Sequence, residues 1–286
     1  KTCIIICADG GTGKSTISLQ AALQFSCGVP LFGALEVERP YKVYYIQKER
    51  AAAEIYERIE LMQRVIPWIA DNFILDSKLQ EFNLARESNW QMIIDRILPY
   101  KPDIVFIDPI YAGTPGLSKD EVASSFTTFL TKLEAQTESS VWLNHHNTKD
   151  SYDRDGNKIS KEDSMYGSVW IKNHVSASYQ LSKTADGVKL TKKKDNDRDL
   201  LENKELEFNS ETYISIAKGE WGSYKDKVTK YIHSMKSLNK AFTFDDIISQ
   251  TGVSRSSLFR IIGTPNFKHI LKNVNHIGIR ALYVVE

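Results

Sequence analysis

Apolar positions in residues 1–183 follow two rhythms that alternate along the chain. Short unbroken runs at 2–7, 42–47, 73–75, 103–107 and 140–144 have the length of buried strands. Between them, helical periodicity predicts helices through about residue 25 and over 51–65, 88–98 and 119–136. Strands that are apolar throughout predict a mostly parallel sheet covered on both faces, an α/β architecture. From 177 to 217 the pattern changes to short segments at 178–182, 188–192, 205–208 and 213–216. Polar turns such as Asp186-Gly187 separate them, which predicts hairpins at the sheet's edge. Residues 219–222 read as a linker. Beyond it, helical patterns at 223–238, 244–250 and 254–262 precede strand patterns at 276–279 and 281–285. The expected organisation is an α/β domain over 1–218 and a small α+β domain over 223–286.

The length, 286 residues, suits two domains, and 42% hydrophobic content is enough to bury a core without disulfides. Cys3, Cys7 and Cys27 stand in apolar surroundings and are too few for a disulfide framework or a zinc site. Reducing, cytoplasmic conditions are therefore expected. No apolar run reaches the length of a membrane span, and the opening strand is too short for a signal peptide. The chain begins at Lys1 directly on a strand, so a piece of a longer protein is expected. The formal net charge of +1 hides an asymmetry: residues 223–286 carry +6 and the remainder −5. A basic C-terminal domain points towards nucleic acid.

Residues 8–16, Ala-Asp-Gly-Gly-Thr-Gly-Lys-Ser-Thr, lie between a strand and a helix and match the phosphate-loop pattern except for Ala8 in place of the first glycine. Glycines at 10, 11 and 13 let backbone N–H groups wrap a phosphate. Asp9, Thr12 and Thr16 complete the loop, Lys14 reaches the β- and γ-phosphates, and the Ser15 hydroxyl ligates Mg²⁺. ATP and Mg²⁺ are the expected ligands. Residues 103–108 form an apolar strand ending in Asp108, which would hold the same Mg²⁺ through water. Asp103, at the strand's other end, is expected at the surface.

Glu49 follows the second strand. If that strand and the one ending in Asp108 neighbour the phosphate-loop strand, both acids reach one crevice, where Glu49 can polarise an attacking water. The competing reading is a glutamate at a helix N-terminus, stabilised by the dipole. His145 and His146 end the strand at 140–144, where a polar side chain can bond the γ-phosphate and sense its loss; their spacing does not suit zinc.

Together, Ala8–Thr16, the Glu49 strand, Ile107-Asp108-Pro109, the run from Leu143 to Lys149 and Tyr166-Gly167-Ser168 resemble the RecA-like ATPases of the RepA and DnaB type, hexameric replicative DNA helicases of plasmids, phages and bacteria. The resemblance covers about residues 1–200. It implies a RecA-like P-loop fold, an ATP-hydrolysing helicase in a bacterial host, and ATP sites between subunits of a ring. Glu49 then becomes the general base, Asp108 the Mg²⁺ ligand and His146, or else His145, the sensor. The resemblance also implies a Lys and an Arg on a late hairpin reaching the neighbour's γ-phosphate. Lys194 and Arg198 fit loosely, with Lys192 in reserve. In such chains a primase or polymerase domain often lies upstream.

Residues 151–162 nearly spell a calcium loop, but Ser151 replaces the first ligand and no helix pair flanks it. In RecA-like rings this position faces the central channel and grips single-stranded DNA; Lys149, Arg154, Lys158 and Lys161 would contact phosphates. In the basic domain, a short helix, a turn at Gly252 and a serine-capped helix have helix-turn-helix spacing, with a strand pair as a wing. Arg255, Ser256 and Arg260 fall on the exposed face of the second helix, for duplex DNA or for docking on the ring. Two other readings compete with the helicase: a recombinase-like or loader ATPase without unwinding, and an ATP-gated DNA-binding regulator.

Overall fold

The computed structural model describes residues 1–66, 70–147, 168–196 and 203–217. In the C-terminal part it describes 228, 231–232, 235, 242–251, 253, 255–262, 271–277 and 280–285. Nine strands form one sheet: β1 (Cys3–Ala8), β2 (Val43–Gln47), β3 (Phe73–Asp76), β4 (Ile104–Asp108), β5 (Ser140–His146), β6 (Ala177–Lys183), β7 (Gly187–Asp195), β8 (Lys204–Asn209) and β9 (Ile214–Ala217). Their order is β3-β2-β4-β5-β1-β6-β7-β8-β9. Strands β3 to β6 in that order pair in parallel, and β6 to β9 continue as an antiparallel meander. This is the α/β, RecA-like arrangement expected, with hairpins at one edge.

Helices cover both faces. On one lie α1 (Lys14–Cys27) and α2 (Ala52–Gln63); on the other lie α3 (Glu87–Ile97), α5 (Asp120–Thr137) and the short α6 (Val169–His174). A one-turn helix, α4 (Ile110–Gly113), follows β4. Period-two alternation sorts the strand residues between two cores. Ile6 and Ala8 of β1 pack with Tyr45, Phe106 and Trp142 against α1. Cys3, Ile5 and Cys7 pack with Tyr44, Val105 and Leu143 against α3 and α5.

One expectation needs correcting. The strands ending near Glu49 and Asp108 do not neighbour the phosphate-loop strand, whose partners are β5 and β6. Strands β4 and β5 stand between β2 and β1. The two acids still share a rim, because the parallel register sets Gln47 beside Asp108 and Ala8 beside His146. Asp103 is half-buried rather than simply exposed: its carboxylate takes a 2.7 Å bond from Arg39 and another from the Lys42 amide.

Among the described C-terminal residues, α7 (Phe244–Thr251) and α8 (Arg255–Ile262) precede an antiparallel pair, β10 (Leu271–Ile277) with β11 (Arg280–Val285). Val228, Ile232, Phe242, Ile247 and Leu258 share an apolar cluster. Arg255 pairs with Asp245 of α7 at 2.7 Å. Ser256 and Arg260 lie in α8, with side chains outside the described residues. The 219–222 linker also falls outside them.

The last strand depends on one side chain. Gln20, fully buried on α1, donates from Nε2 to the Ser215 carbonyl and accepts from the Ser215 amide, both at 2.7 Å. Its amide thereby substitutes for a tenth strand and covers the open edge of β9. Gln20→Leu keeps the volume but leaves two buried backbone groups unpaired. Such groups cost about 1–3 kcal/mol each, so denaturant unfolding should show a loss of about 2–4 kcal/mol. A loss under about 0.5 kcal/mol would mean that β9 frays and water satisfies it.

Candidate functional site

The site lies along the carboxyl rim of the parallel strands, where β1 runs into the glycine loop and the loop into α1. Gly11 and Gly13 take φ of 68° and 102°, the left-handed region that glycine adopts without strain. A Cβ added at Gly10, Gly11 or Gly13 would meet nothing within 4 Å. The loop therefore surrounds open space that side chains would fill, which fits a phosphate group held by backbone N–H donors at a helix N-terminus. Thr12 is buried and closes the loop through its hydroxyl, 2.8 Å from the Asp9 carbonyl. Asn147 Nδ2 donates to the Asp9 carboxylate at 2.8 Å, which ties the loop to the end of β5.

Lys14 is 5% exposed. Its ammonium donates to the carbonyls of Ala8 (2.8 Å) and Asp9 (3.2 Å) and to His146 Nδ1 (3.2 Å). Burial pulls its pKa down to about 8, against the opposing pull of Asp108 and other nearby acids. Ser15 Oγ donates to Asp108 Oδ1 at 3.1 Å, and the buried Tyr45 hydroxyl donates to Asp108 Oδ2 at 2.6 Å. The hydroxyl and carboxylate predicted to hold Mg²⁺ are thus in contact and consist of hard oxygen donors, which suits that ion.

Glu49 is exposed and accepts a 2.9 Å hydrogen bond from the Tyr111 hydroxyl. It precedes α2 by three residues, so it is not the dipole-stabilised helix glutamate of the competing reading. Tyr111 sits on α4, just after the cis Asp108–Pro109 peptide, and its ring packs edge-on against His146 at 4.6 Å. Glu49, Tyr111, His146 and Lys14 therefore form one continuous chain of contacts across the rim.

The two histidines part company. Strand alternation sends His146 to the face of α1 and His145 to the opposite face. His145 is buried, and neither ring nitrogen has a partner among the described residues. Burial drives its pKa down to about 3, so it is a neutral core residue. Only His146 reaches the phosphate loop.

Lys194 and Lys192 lie on β7, the second strand of the β6–β7 hairpin, as the late-hairpin reading expected. The strand runs from Gly187, near the phosphate loop, to Asp195, paired with Ala177 at the sheet's amino rim. The Lys194 ammonium donates to the carbonyls of Lys172 (2.6 Å) and Val175 (2.7 Å), capping the end of α6. Lys192 pairs with Asp195 at 3.0 Å. Arg198, Lys149, Arg154, Lys158 and Lys161 lie outside the described residues.

Beside the loop opens a cavity of about 550 Å³. Gly11, Gly13 and Thr16 form one wall, and the β6–β7 turn around Asp186 with Phe208 and Ser210 forms another. Its size falls in the range of small-molecule sites, and it continues the phosphate cradle outward.

The AAA domain family matches residues 1–152. The chain belongs to that family. The matched span of this AAA domain holds every rim residue just described: the loop, Tyr45, Glu49, Asp108, Tyr111, His146 and Asn147. No curated protein matches the chain. Among solved structures, a KaiC-like protein from the hyperthermophilic archaeon Pyrococcus horikoshii OT3 is similar, with 13% identity and a TM-score of 0.49. The likeness covers 76% of this chain and 88% of that one. The family match and the glycine loop before Lys14 make this AAA domain a P-loop ATPase of α/β fold.

Sequence reasoning missed Tyr111, Tyr45 and Asn147. Their positions at the carboxyl ends of predicted strands were the available signal, since ligands in open parallel sheets gather there. For Lys14, the geometry gives a direct expectation. Lys14→Ala removes the buried cation of the cradle, and nucleotide affinity measured by calorimetry should fall beyond detection while the fold persists. Retained micromolar binding would contradict the reading.

Proposed function

We propose that this AAA domain is the motor of an ATP-dependent DNA helicase or translocase of replication, acting as a ring with ATP sites between subunits. The observation that carries the reading is the chain of contacts from Glu49 through Tyr111 and His146 to Lys14. It joins a candidate base to a candidate sensor at the end of β5, and residues 151–162, the proposed DNA loop, follow that strand in sequence.

In this reading, Gly10, Gly11 and Gly13 present backbone N–H groups to the phosphates, and Lys14 neutralises their charge. Ser15 and Asp108 would hold Mg²⁺, which would supply positive charge to the phosphates. Glu49 orients the attacking water and takes its proton, while the Tyr111 hydroxyl fixes that carboxylate's direction. His146, in contact with both Tyr111 and Lys14, feels whether the γ-phosphate is present. Charge at the γ-phosphate is completed from the neighbouring subunit, for which Lys194 and Arg198 are the candidates, with Lys192 in reserve; either lysine would have to leave its present partners, the α6 carbonyls or Asp195. Residues 223–286 form a winged helix-turn-helix, supported by the order of α7, α8 and the β10–β11 hairpin. It engages DNA through Arg255, Ser256 and Arg260.

The test separates binding from hydrolysis and hydrolysis from unwinding. A general base contributes roughly 10²–10⁴-fold, so Glu49→Gln should bind ATP and single-stranded DNA normally but lose at least 100-fold in turnover. Wild type should displace a strand from a forked duplex only with ATP, and Glu49→Gln should not. Turnover within a few-fold of wild type in Glu49→Gln would remove Glu49 from the mechanism. Rapid DNA-stimulated hydrolysis with no displacement would favour a loader or recombinase-like ATPase. ATP-dependent binding to a duplex site by a chain that does not translocate would favour a regulator.

A further inference from the structure

A second constellation sits at the opposite rim of the sheet. Cys3 begins β1, Glu134 lies near the end of α5 and His174 ends α6. One donor atom from each, a thiol sulfur, a carboxylate oxygen and an imidazole nitrogen, lies within 4.8 Å of the others. Counting cysteines alone sets zinc aside; the mixed set escapes that count because 130 residues or more separate Cys3 from its partners.

The local chemistry is unsatisfied as it stands. His174 Nε2 is buried and has no hydrogen-bond partner among the described residues. The nearest Glu134 oxygen is 3.7 Å away, too far for a hydrogen bond. Two donors sharing a tetrahedral zinc at about 2.1 Å each stand about 3.4 Å apart, close to that separation. The Cys3 thiol is 4% exposed, and burial and Glu134 both push its pKa up, while the Lys194 ammonium pulls it back. Glu134 stays partly exposed, but the Cys3 thiol and the His174 Nε2 atom are withdrawn from water, and such groups cost free energy unless something pairs them.

We propose that Cys3, Glu134 and His174 bind a divalent cation of the zinc type. Thiolate and imidazole donors select zinc over Mg²⁺, which takes oxygen ligands. The Cys3 proton leaves to solvent as the metal binds. Thiolate and carboxylate then balance the ion's two charges, and the imidazole nitrogen gains its missing partner. Three protein ligands leave a fourth position for water. The site is distinct from the nucleotide site, because Cys3 and Ala8 lie at opposite ends of β1, roughly 17 Å apart at strand rise. It would clamp β1, α5 and α6 together.

Cobalt(II) is the probe. The full chain, stripped by chelator and held in excess Mg²⁺ to fill the oxygen-rich site, is titrated with Co²⁺. One equivalent should give a thiolate-to-cobalt charge-transfer band and the visible bands of four-coordinate cobalt, both lost when one equivalent of Zn²⁺ is added. Cys3→Ser should abolish the charge-transfer band, whereas Cys7→Ser and Cys27→Ser should keep it. His174→Gln should weaken Zn²⁺ binding at least tenfold and remove the zinc-dependent rise in melting temperature, with ATP affinity unchanged. A wild-type chain with no charge-transfer band, or a band that survives Cys3→Ser, overturns the proposal. Should Cys3→Ser fail to fold, His174→Gln decides the question by the same affinity and melting readouts.

Discussion

A buried ammonium held by carbonyl oxygens and an imidazole, with no carboxylate among the described residues bonded to it, is the constraint around which this molecule is arranged. Lys14 costs free energy where it sits, as its lowered pKa records. A phosphate group entering the cradle of Gly10 to Gly13 would relieve that cost. Everything else serves to hold the cation there. The β1–β5 register places Ala8 and His146 side by side, so one ammonium can touch both. The buried Ser18 hydroxyl joins α1 to β5 by donating to Asn144 at 2.6 Å and accepting from Trp142 at 3.0 Å. That fixes the helix whose first residue is Lys14.

The two ends of the sheet carry different donor atoms. At the carboxyl rim the donors are hard oxygens and backbone amides, suited to phosphate and Mg²⁺. At the amino rim they are sulfur, nitrogen and a carboxylate, beside a lysine that caps a helix. The same β1 contributes to both, and its alternation directs Ala8 to one core and Cys3 to the other.

Much of this was legible because it rests on local pattern. Continuous apolar runs set the strands, and glycine spacing before Lys14 set the loop. Asp108 and Glu49 followed from their place after apolar runs. What could not be read was strand order, since nothing local says that β4 and β5 come between β2 and β1. The same ignorance hid Gln20, whose partner Ser215 is 195 residues away. It also hid Tyr111, whose meaning depends on Glu49 arriving from another strand. His145 and His146 looked equivalent in sequence; alternation separates them once the strand is known to continue to residue 146. Lys194, read from sequence as reaching a neighbour's phosphate, instead donates to carbonyls at the end of its own α6.

The central claim is that this cradle works between subunits on single-stranded DNA. Sedimentation velocity of the chain with a non-hydrolysable ATP analogue, Mg²⁺ and an oligothymidine tests it most directly. The account predicts a closed oligomer of hexameric mass that needs both nucleotide and DNA, or nucleotide alone, and that Lys14→Ala fails to form. A monomer under every condition, with ATP hydrolysis intact, would contradict it.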